Sequence, residues 1–168
     1  MTLAEVNALT REAFMAAFGG VAEHSAWVAE RAAAARPYAD RAAMVLAFQR
    51  AVLDASDDER MALLRAHPDL AGRAALAGEL TRESTQEQAG AGLDRLTQEE
   101  YARFQTLNDA YRARFGMPFI VAVRGATKHQ ILAAFENRVG GTREEETLTA
   151  VAQVLRIVRF RLEDAVAG

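Results

Sequence analysis

One of the chain's three histidines, His67, stands at the head of the stretch HPDLAGR, residues 67–73. An imidazole exchanges a proton near neutral pH, which makes it a candidate general base. Pro68 suits the first position of a helix and Asp69 its first turn, so we expect His67 beside a helix N-terminus, where a neutral ring is favoured. Most histidines at such corners have no chemical role, and the motif alone favours that plainer interpretation.

A carboxyl group with two possible uses occurs in STQEQAGAGL, residues 84–93. Ser84 and Glu87 fit the capping box, in which each side chain satisfies the other's backbone N–H, and this explains both residues without chemistry. The box does not explain Gly90 and Gly92, because a glycine inside a helix costs roughly 1 kcal/mol relative to alanine. The two glycines indicate that a crossing helix or a ligand approaches the backbone closely.

A guanidinium is out of place in the last predicted helix, about residues 142–165. The apolar seam of that helix recurs at spacings of three and four and consists of Leu148, Val151, Leu155, Val158 and Leu162. Arg161 falls between Val154 and Ile157 on the apolar arc, where burial without a partner would cost several kcal/mol. From this helix alone we favour a structural salt bridge; the alternative is a clamp for an anionic ligand.

The elements that must position these residues are predicted to be helices. Six capping boxes are present, at Thr2/Glu5, Ser56/Glu59, Ser84/Glu87, Thr97/Glu100, Thr127/Gln130 and Thr142/Glu145. The only strand-like run, FIVAV at residues 119–123, is expected to be a buried extended or short helical connector, because one short run cannot form a sheet. The sequence therefore predicts an all-α, single-domain bundle of about eight helices over residues 1–168.

Composition and charge exclude several classes of protein. Apolar residues make up 51% of the chain and charged residues 26%, and no apolar run approaches the roughly 20 residues that span a bilayer. With no cysteine, disulfides and thiolate chemistry are excluded. A net charge of −3 gives no footprint for nucleic acid. The first residues do not have the pattern of a secretory signal, and we expect a cytoplasmic protein with no membrane partner.

Five stretches together carry a resemblance to a known family. They are FGGVAEHSAWVAE (18–30), HPDLAGR (67–73), LTRESTQEQAGAGLDRLT (80–97), LNDAYRARFGMPFIVAVRG (107–125) and RFRLEDAV (159–166). The sequence resembles the 2-oxo-4-hydroxy-4-carboxy-5-ureidoimidazoline (OHCU) decarboxylase family over about residues 7–166. Two departures from the family pattern lie at predicted helix boundaries. Ala26 stands where the family usually has proline. Residues 138–141 are Arg-Val-Gly-Gly where the family usually has Arg-Leu-Gly-Asn.

The resemblance implies an all-α fold, usually a homodimer, that works without a metal or organic cofactor. The implied reaction converts OHCU to (S)-allantoin and carbon dioxide, the last step of urate degradation. Loss of carbon dioxide leaves an electron pair that the unsaturated ring of the substrate can accept. The substrate is its own electron sink, which makes cofactor-free catalysis plausible.

The resemblance also implies roles for the unusual residues. His67 matches the catalytic histidine and would take the hydroxyl proton of the substrate, while Glu87 matches the carboxyl that holds or relays a proton. Arg161 matches the arginine that pairs with the anionic or carbonyl edge of the substrate. The implied substrate-binding residues are Pro68, Ser84, Gln88, Phe119 and Ile120, the last two through their backbone.

Two other functions were weighed against this enzyme. A non-catalytic helical module could bind a ureide or another purine breakdown product, but it would not need a proton acceptor beside a carboxylate clamp. A metal-dependent hydrolase could use the three histidines. However, His24 and His129 are expected at surface or capping positions, and neither has the partner four residues away that a metal pair on a helix requires.

Overall fold

Ten helices account for the regular structure of the protein. The computed structural model describes residues 1–168, apart from the side chain of Ala74. The helices are α1 (Leu3–Ala8), α2 (Arg11–Phe18), α3 (Trp27–Ala33), α4 (Arg41–Leu53), α5 (Asp57–Ala66), α6 (Arg73–Leu76), α7 (Arg82–Gly90), α8 (Gln98–Phe115), α9 (Lys128–Arg138) and α10 (Arg143–Ala165). The all-α prediction is confirmed, with no strand in the described chain, and α1 and α6 are very short. None of these helices is long and apolar enough to cross a membrane.

The helix starts are set by side-chain caps. Five of the six predicted boxes form: in each, the serine or threonine oxygen accepts the N–H three residues later, and the glutamate or glutamine accepts the N–H of the capping residue. They are the boxes at residues 2, 56, 97, 127 and 142. The sixth, Ser84/Glu87, is wrong, because α7 begins earlier in the chain with Thr81 as its cap.

The helices form two compact units. The first consists of residues 1–66 and 154–168, and the second of residues 67–153, so that α10 contributes to both. The prediction of one domain over residues 1–168 stays a prediction.

The first unit is organised around an aromatic cluster. The rings of Phe14 and Phe18, both on α2, have centroids 4.9 Å apart, and Phe48 of α4 lies 6.2 and 6.4 Å from them. All three are fully buried, as are Val6 of α1 and Leu162 of α10. Burial of large apolar side chains is the main stabilising contribution to such a core.

The second unit has its own aromatic core, which α8, α9 and the following connector share. Phe119 stacks on Phe135 with ring centroids 3.9 Å apart and an interplanar angle of 11°. Tyr111 meets both rings edge-on, at 5.5 and 5.9 Å. The connector at residues 119–123 has no regular secondary structure and is mostly buried, as predicted. The Phe119 ring therefore belongs to the core, although the connector's backbone is part of no helix or strand.

The buried face of α10 differs from the predicted seam. Leu148 is 67% exposed, and the buried positions are Glu146, Ala150, Val154, Ile157, Val158, Arg161 and Leu162. The seam as predicted is therefore wrong at Leu148, since the helix buries a face displaced toward its polar positions. The placement of Arg161 on the buried arc is confirmed.

Candidate active site

His67 begins a loop, residues 67–72, that follows the C-terminal end of α5 and precedes α6. The side chain is almost completely buried, with 6% of its surface exposed. Pro68 does not start a helix, so the prediction that His67 lies beside a helix N-terminus is wrong. Because no helix begins at Pro68, the dipole argument for a neutral ring has no basis in the fold.

The reason that no helix starts at Pro68 lies in the backbone of the loop. Ala71 has a positive φ of 50°, which a right-handed helix cannot accommodate. The chain then approaches itself so closely that a Cβ on Gly72 would lie 2.7 Å from the Cβ of Asp69. Only glycine fits position 72 without displacing the loop.

Side chains hold this loop in place of regular secondary structure. Gln88 of α7 donates from Nε2 to the carbonyl of Asp69 at 3.2 Å and accepts the N–H of Ala71 on Oε1 at 2.9 Å. Arg112 of α8 places Nε 2.9 and 3.1 Å from the two carboxylate oxygens of Asp69. The predicted contact of Gln88 with substrate stays a prediction, and its observed partners are the loop backbone.

Two more side chains of α8 complete the support of the loop. Asn108 donates from Nδ2 to the carbonyl of Leu70 at 2.9 Å, and Gln105 donates from Nε2 to the carbonyl of Ala71 at 2.7 Å. Buried backbone groups must find such partners, because an unpaired one costs roughly 1–3 kcal/mol. The fold thus fixes three consecutive residues just beyond His67.

Helix α7 carries the predicted acid on the same segment that holds the loop. Thr81 caps the helix by accepting the N–H of Ser84, so Ser84 lies inside the first turn and is not a cap. Ser84 and Gln88, four residues apart, are both buried, and Glu87 is half-buried. The capping explanation of Glu87 is therefore wrong, and its position beside Gln88 needs another one.

Of the two glycines that follow, Gly90 and Gly92, the backbone conformation explains only Gly92. Gly92 has a positive φ of 78°, just beyond the end of α7, where glycine is favoured. No described atom lies within 4 Å of a Cβ added at Gly90 or Gly92. The described residues therefore do not show the crossing helix that was one of the two expectations.

The connector after α8 places Phe119 and Ile120 in the second unit. Both are buried, with 1% and 3% of their surfaces exposed. The carbonyl of Ile120 accepts a hydrogen bond from Nη1 of Arg138 at 2.7 Å, and the guanidinium carbon of Arg138 lies 4.5 Å from the centre of the Phe119 ring. An arginine at the end of α9 therefore holds the residues whose backbone is predicted to contact substrate.

Arg161, in the first unit, forms the ion pair expected from the helix pattern. Its Nη1 lies 3.0 Å from Oε2 of Glu23 and 3.2 Å from the carbonyl of Val21, and both charged side chains are more than nine-tenths buried. Removing one partner of such a buried pair is strongly destabilising, because the other charge is left buried and unpaired. The structural salt bridge is therefore present, and the role of Arg161 toward substrate stays a prediction.

Seven of the eight predicted residues lie in the second unit, on the supported loop, on α7 and on the supported connector. His67 and Pro68 lie on the loop that Gln88 holds, Ser84 and Glu87 share α7 with Gln88, and the connector is fixed separately. This combination can supply an imidazole, a carboxyl group and backbone hydrogen-bonding groups to a small polar molecule.

The remaining histidines differ from His67 in their exposure. His24 and His129 are both exposed, and His24 has a positive φ of 46°. In the described chain, no group of three or more histidine, cysteine, aspartate and glutamate side chains is arranged to hold a metal ion. Ser25, which follows His24, donates to the carbonyl of Glu23 at 2.9 Å.

The residues that support the two segments were not predicted from the sequence. Asn108 is buried between Leu107 and Tyr111 on the apolar face of α8, and Glu146 is buried on α10. A polar residue on an apolar arc was the signal that singled out Arg161, and the same test applied to α8 would have found Asn108. Glu146 lies off the predicted seam of α10, so the pattern contained no such signal for it.

The chain was compared with known proteins. The profile of the family described as OHCU decarboxylase matches residues 7–163. The OHCU decarboxylase of Haloferax volcanii is 44% identical over 164 residues, which cover 98% of this chain and 95% of that protein. The one from Amia calva is 34% identical and covers 99% and 95%. A uric acid degradation bifunctional protein of Bacillus subtilis is 36% identical over 98% of this chain, which spans 33% of that protein.

Solved structures give the same result. A crystal structure of (S)-allantoin synthase matches with a TM-score of 0.78 and 34% identity over 99% of this chain, which spans about half (54%) of that chain. A crystal structure of OHCU decarboxylase in the presence of (S)-allantoin shares the fold, with a TM-score of 0.67 at 17% identity over 82% of this chain and 88% of that one. The fold and the matches together define the class, an all-helical enzyme of the decarboxylase type. The chain belongs to the OHCU decarboxylase family.

Proposed function

We propose that this chain decarboxylates OHCU to (S)-allantoin and carbon dioxide, the last step of urate degradation. The observation that carries the proposal is the support of the loop that begins at His67 by Gln88, whose own helix carries Glu87 one residue earlier. An imidazole and a carboxyl group on two directly connected segments supply the base and the acid that the reaction needs.

The reaction balances without an additional reactant. The bond between C4 of the ring and its carboxylate breaks, carbon dioxide leaves, and the electron pair forms a C4–C5 double bond while the ring nitrogen double-bonded to C5 takes up a proton. The C4 hydroxyl then loses its proton and becomes a carbonyl, while C5 gains a proton on one face. One proton is consumed overall, and the substrate ring accepts the electron pair.

Each predicted residue has a proposed role in these reaction steps. His67 takes the hydroxyl proton, and Glu87 holds the proton that reaches C5. Arg161 binds the carboxylate or a carbonyl edge of the substrate, for which its planar fork is suited. Ser84 and Gln88 hydrogen-bond to ring and ureido oxygens, Pro68 packs beside the ring, and the backbone of Phe119 and Ile120 binds its imide-like edge.

The decisive experiment generates the unstable substrate in place from urate with the two preceding enzymatic activities. The purified chain is added, and circular dichroism follows the handedness of the allantoin formed. We expect the (S) enantiomer to appear faster and in excess, in proportion to the amount of chain added. Racemic allantoin appearing at the uncatalysed rate would refute the proposal.

The assembly and location of the protein are also proposed. We propose a homodimer in the cytoplasm that acts on a small-molecule substrate, without nucleic-acid or membrane partners. The support is the family resemblance, since the dimer is the usual state of the family. Light scattering of the purified chain measures the mass, and a monomer at micromolar concentration would contradict the dimer. Cell fractionation tests the location.

A further inference from the structure

A buried polar network extends from the connector into α8, α9 and α10. Arg138 at the end of α9 places Nε 2.9 Å from Oε2 of Glu146, and the hydroxyl of Tyr111 donates to the same carboxylate oxygen at 2.6 Å. Glu146 and Tyr111 are buried, and the side chain of Arg138 is 12% exposed. Burial, first, and the Glu146 carboxylate raise the pKa of Tyr111 well above its usual range, so the hydroxyl stays a donor.

This network ends on the connector. Nη1 of Arg138 donates to the carbonyl of Ile120 at 2.7 Å, and the same guanidinium covers the Phe119 ring. Phe119 is held on its other side by the stack with Phe135. The backbone of the connector belongs to no helix or strand, and side chains of helices anchor it. A second anchor is the N–H of Ala122, which donates to Oε1 of Gln153 of α10 at 3.0 Å.

We propose that Arg138, oriented by Glu146 and Tyr111, is a positioning residue that fixes the Ile120 peptide and thereby the edge that the connector presents to substrate. The proposal rests on the proposed function for the substrate contact of this segment. A charged donor on the Ile120 carbonyl reduces the value of that oxygen as an acceptor for anything else. The bond holds the Ile120 carbonyl in one orientation, which sets the direction of the neighbouring backbone groups that the proposed function assigns to the substrate.

If the Arg138–Glu146–Tyr111 network only stabilised the fold, a different result would be expected. A buried ion pair can be replaced by apolar residues of similar size with little or no loss of stability, provided that no partner is left buried and unpaired. The triple variant R138M/E146M/Y111F removes the three polar side chains together and leaves only the Ile120 carbonyl without its donor. If the network only stabilises the fold, this variant should behave as the wild type in binding and catalysis.

The experiment measures stability, binding and backbone protection on the full chain. For R138M/E146M/Y111F we expect a melting temperature lowered by no more than the loss of the bond to the Ile120 carbonyl requires, because the charged partners are removed as a set. We expect the KM for substrate and the Kd for (S)-allantoin to rise about tenfold, which corresponds to roughly 1.4 kcal/mol, with a smaller change in kcat. Hydrogen exchange over residues 118–123 should become faster. The conservative variant R138K should restore only part of the affinity, because lysine cannot contact the carboxylate and the carbonyl in the same geometry.

The matched control is the surface pair between α8 and α9. Arg103 Nε lies 2.9 Å from Oε1 of Glu136, and both side chains are about half exposed. R103Q/E136Q should leave KM, Kd and exchange unchanged. An unchanged Kd for (S)-allantoin in the triple variant overturns the proposal, as does unchanged exchange in the connector. A wild-type chain without decarboxylase activity would refute the proposed function instead, and the exchange measurement would still decide whether Arg138 holds the connector.

Discussion

Replacement of Gln88 by leucine tests whether the loop after His67 is held by a single amide. Leucine fills a similar volume but removes two hydrogen bonds, to the carbonyl of Asp69 and the N–H of Ala71. Ala71 is 5% exposed, so its N–H would be left without a partner and without easy access to water. At about 1–3 kcal/mol for each such group, the cost is at most about 6 kcal/mol.

The expected loss is smaller than this upper limit, because Asn108 and Gln105 still hold the carbonyls of Leu70 and Ala71. We expect the free energy of unfolding to fall by about 2–3 kcal/mol, which a domain with a typical 5–15 kcal/mol survives. The effect on catalysis should be larger. A base displaced by about 1 Å costs on the order of a hundredfold in rate, so kcat should fall much more than the affinity for (S)-allantoin.

The control is Gln86 to leucine, the same change at an exposed position of α7. Urea unfolding gives the stability, the coupled urate assay with circular dichroism gives kcat and KM, and titration with (S)-allantoin gives Kd. If Q88L and Q86L have the same stability and the same kcat, the loop does not depend on the amide. A raised Kd with an unchanged kcat would instead show that Gln88 acts only through its proposed contact with substrate and not through the loop.

Three further changes test other parts of the structure. His67 to alanine should abolish decarboxylation at a stability cost of about 1–3 kcal/mol, as measured by the coupled assay and urea unfolding, and near-normal turnover would show that the base is another group. Arg161 to lysine should raise KM, because lysine lacks two-point contact; a change confined to unfolding would leave the pair with Glu23 as its only role. The hydrogen bond from Arg31, with those from Ser56, lowers the pKa of Glu59 to about 2. Its stabilisation is therefore full above the unfolded value of about 4.5 and is lost as the pH falls toward 2. Urea unfolding of E59Q and wild type should show a difference that closes over this range, and a constant difference would contradict it.

Local rules predicted the helix starts well, because a capping box is decided within four residues. Five of the six boxes form, and the failure at Ser84 has a local cause: Thr81, three residues earlier, is an equally good cap. The sequence offered two competing starts for α7, and the choice between them decides whether Glu87 lies at a helix end or along its side. The prediction for α10 failed at Leu148 for another reason, since several apolar stripes were available and packing selected one of them.

The environment of His67 could not be predicted by local rules. Proline followed by aspartate is a good helix start, but the loop takes a positive φ at Ala71, which is compensated by hydrogen bonds from Gln88, Gln105 and Asn108. Those side chains lie 17 to 38 residues away from their partners in the chain. Side-chain bonds to an irregular backbone depend on which helix packs against the loop, and no spacing within the motif reveals that.

The motif LNDAYRARFG, which lies mostly on α8, has no role assigned to it by the family resemblance. Asn108 and Arg112, one turn apart, contact the loop after His67, while Tyr111 faces the connector and the Glu146 carboxylate. The loop and the connector both lack regular secondary structure, so each must obtain its hydrogen bonds from side chains. A single helix with polar residues at neighbouring positions, two of them buried (Asn108 and Tyr111) and one exposed (Arg112), can supply both. The motif LNDAYRARFG is thus explained by positioning, because its buried polar residues bind the backbone and the buried carboxylate on which two proposed substrate-contacting segments depend.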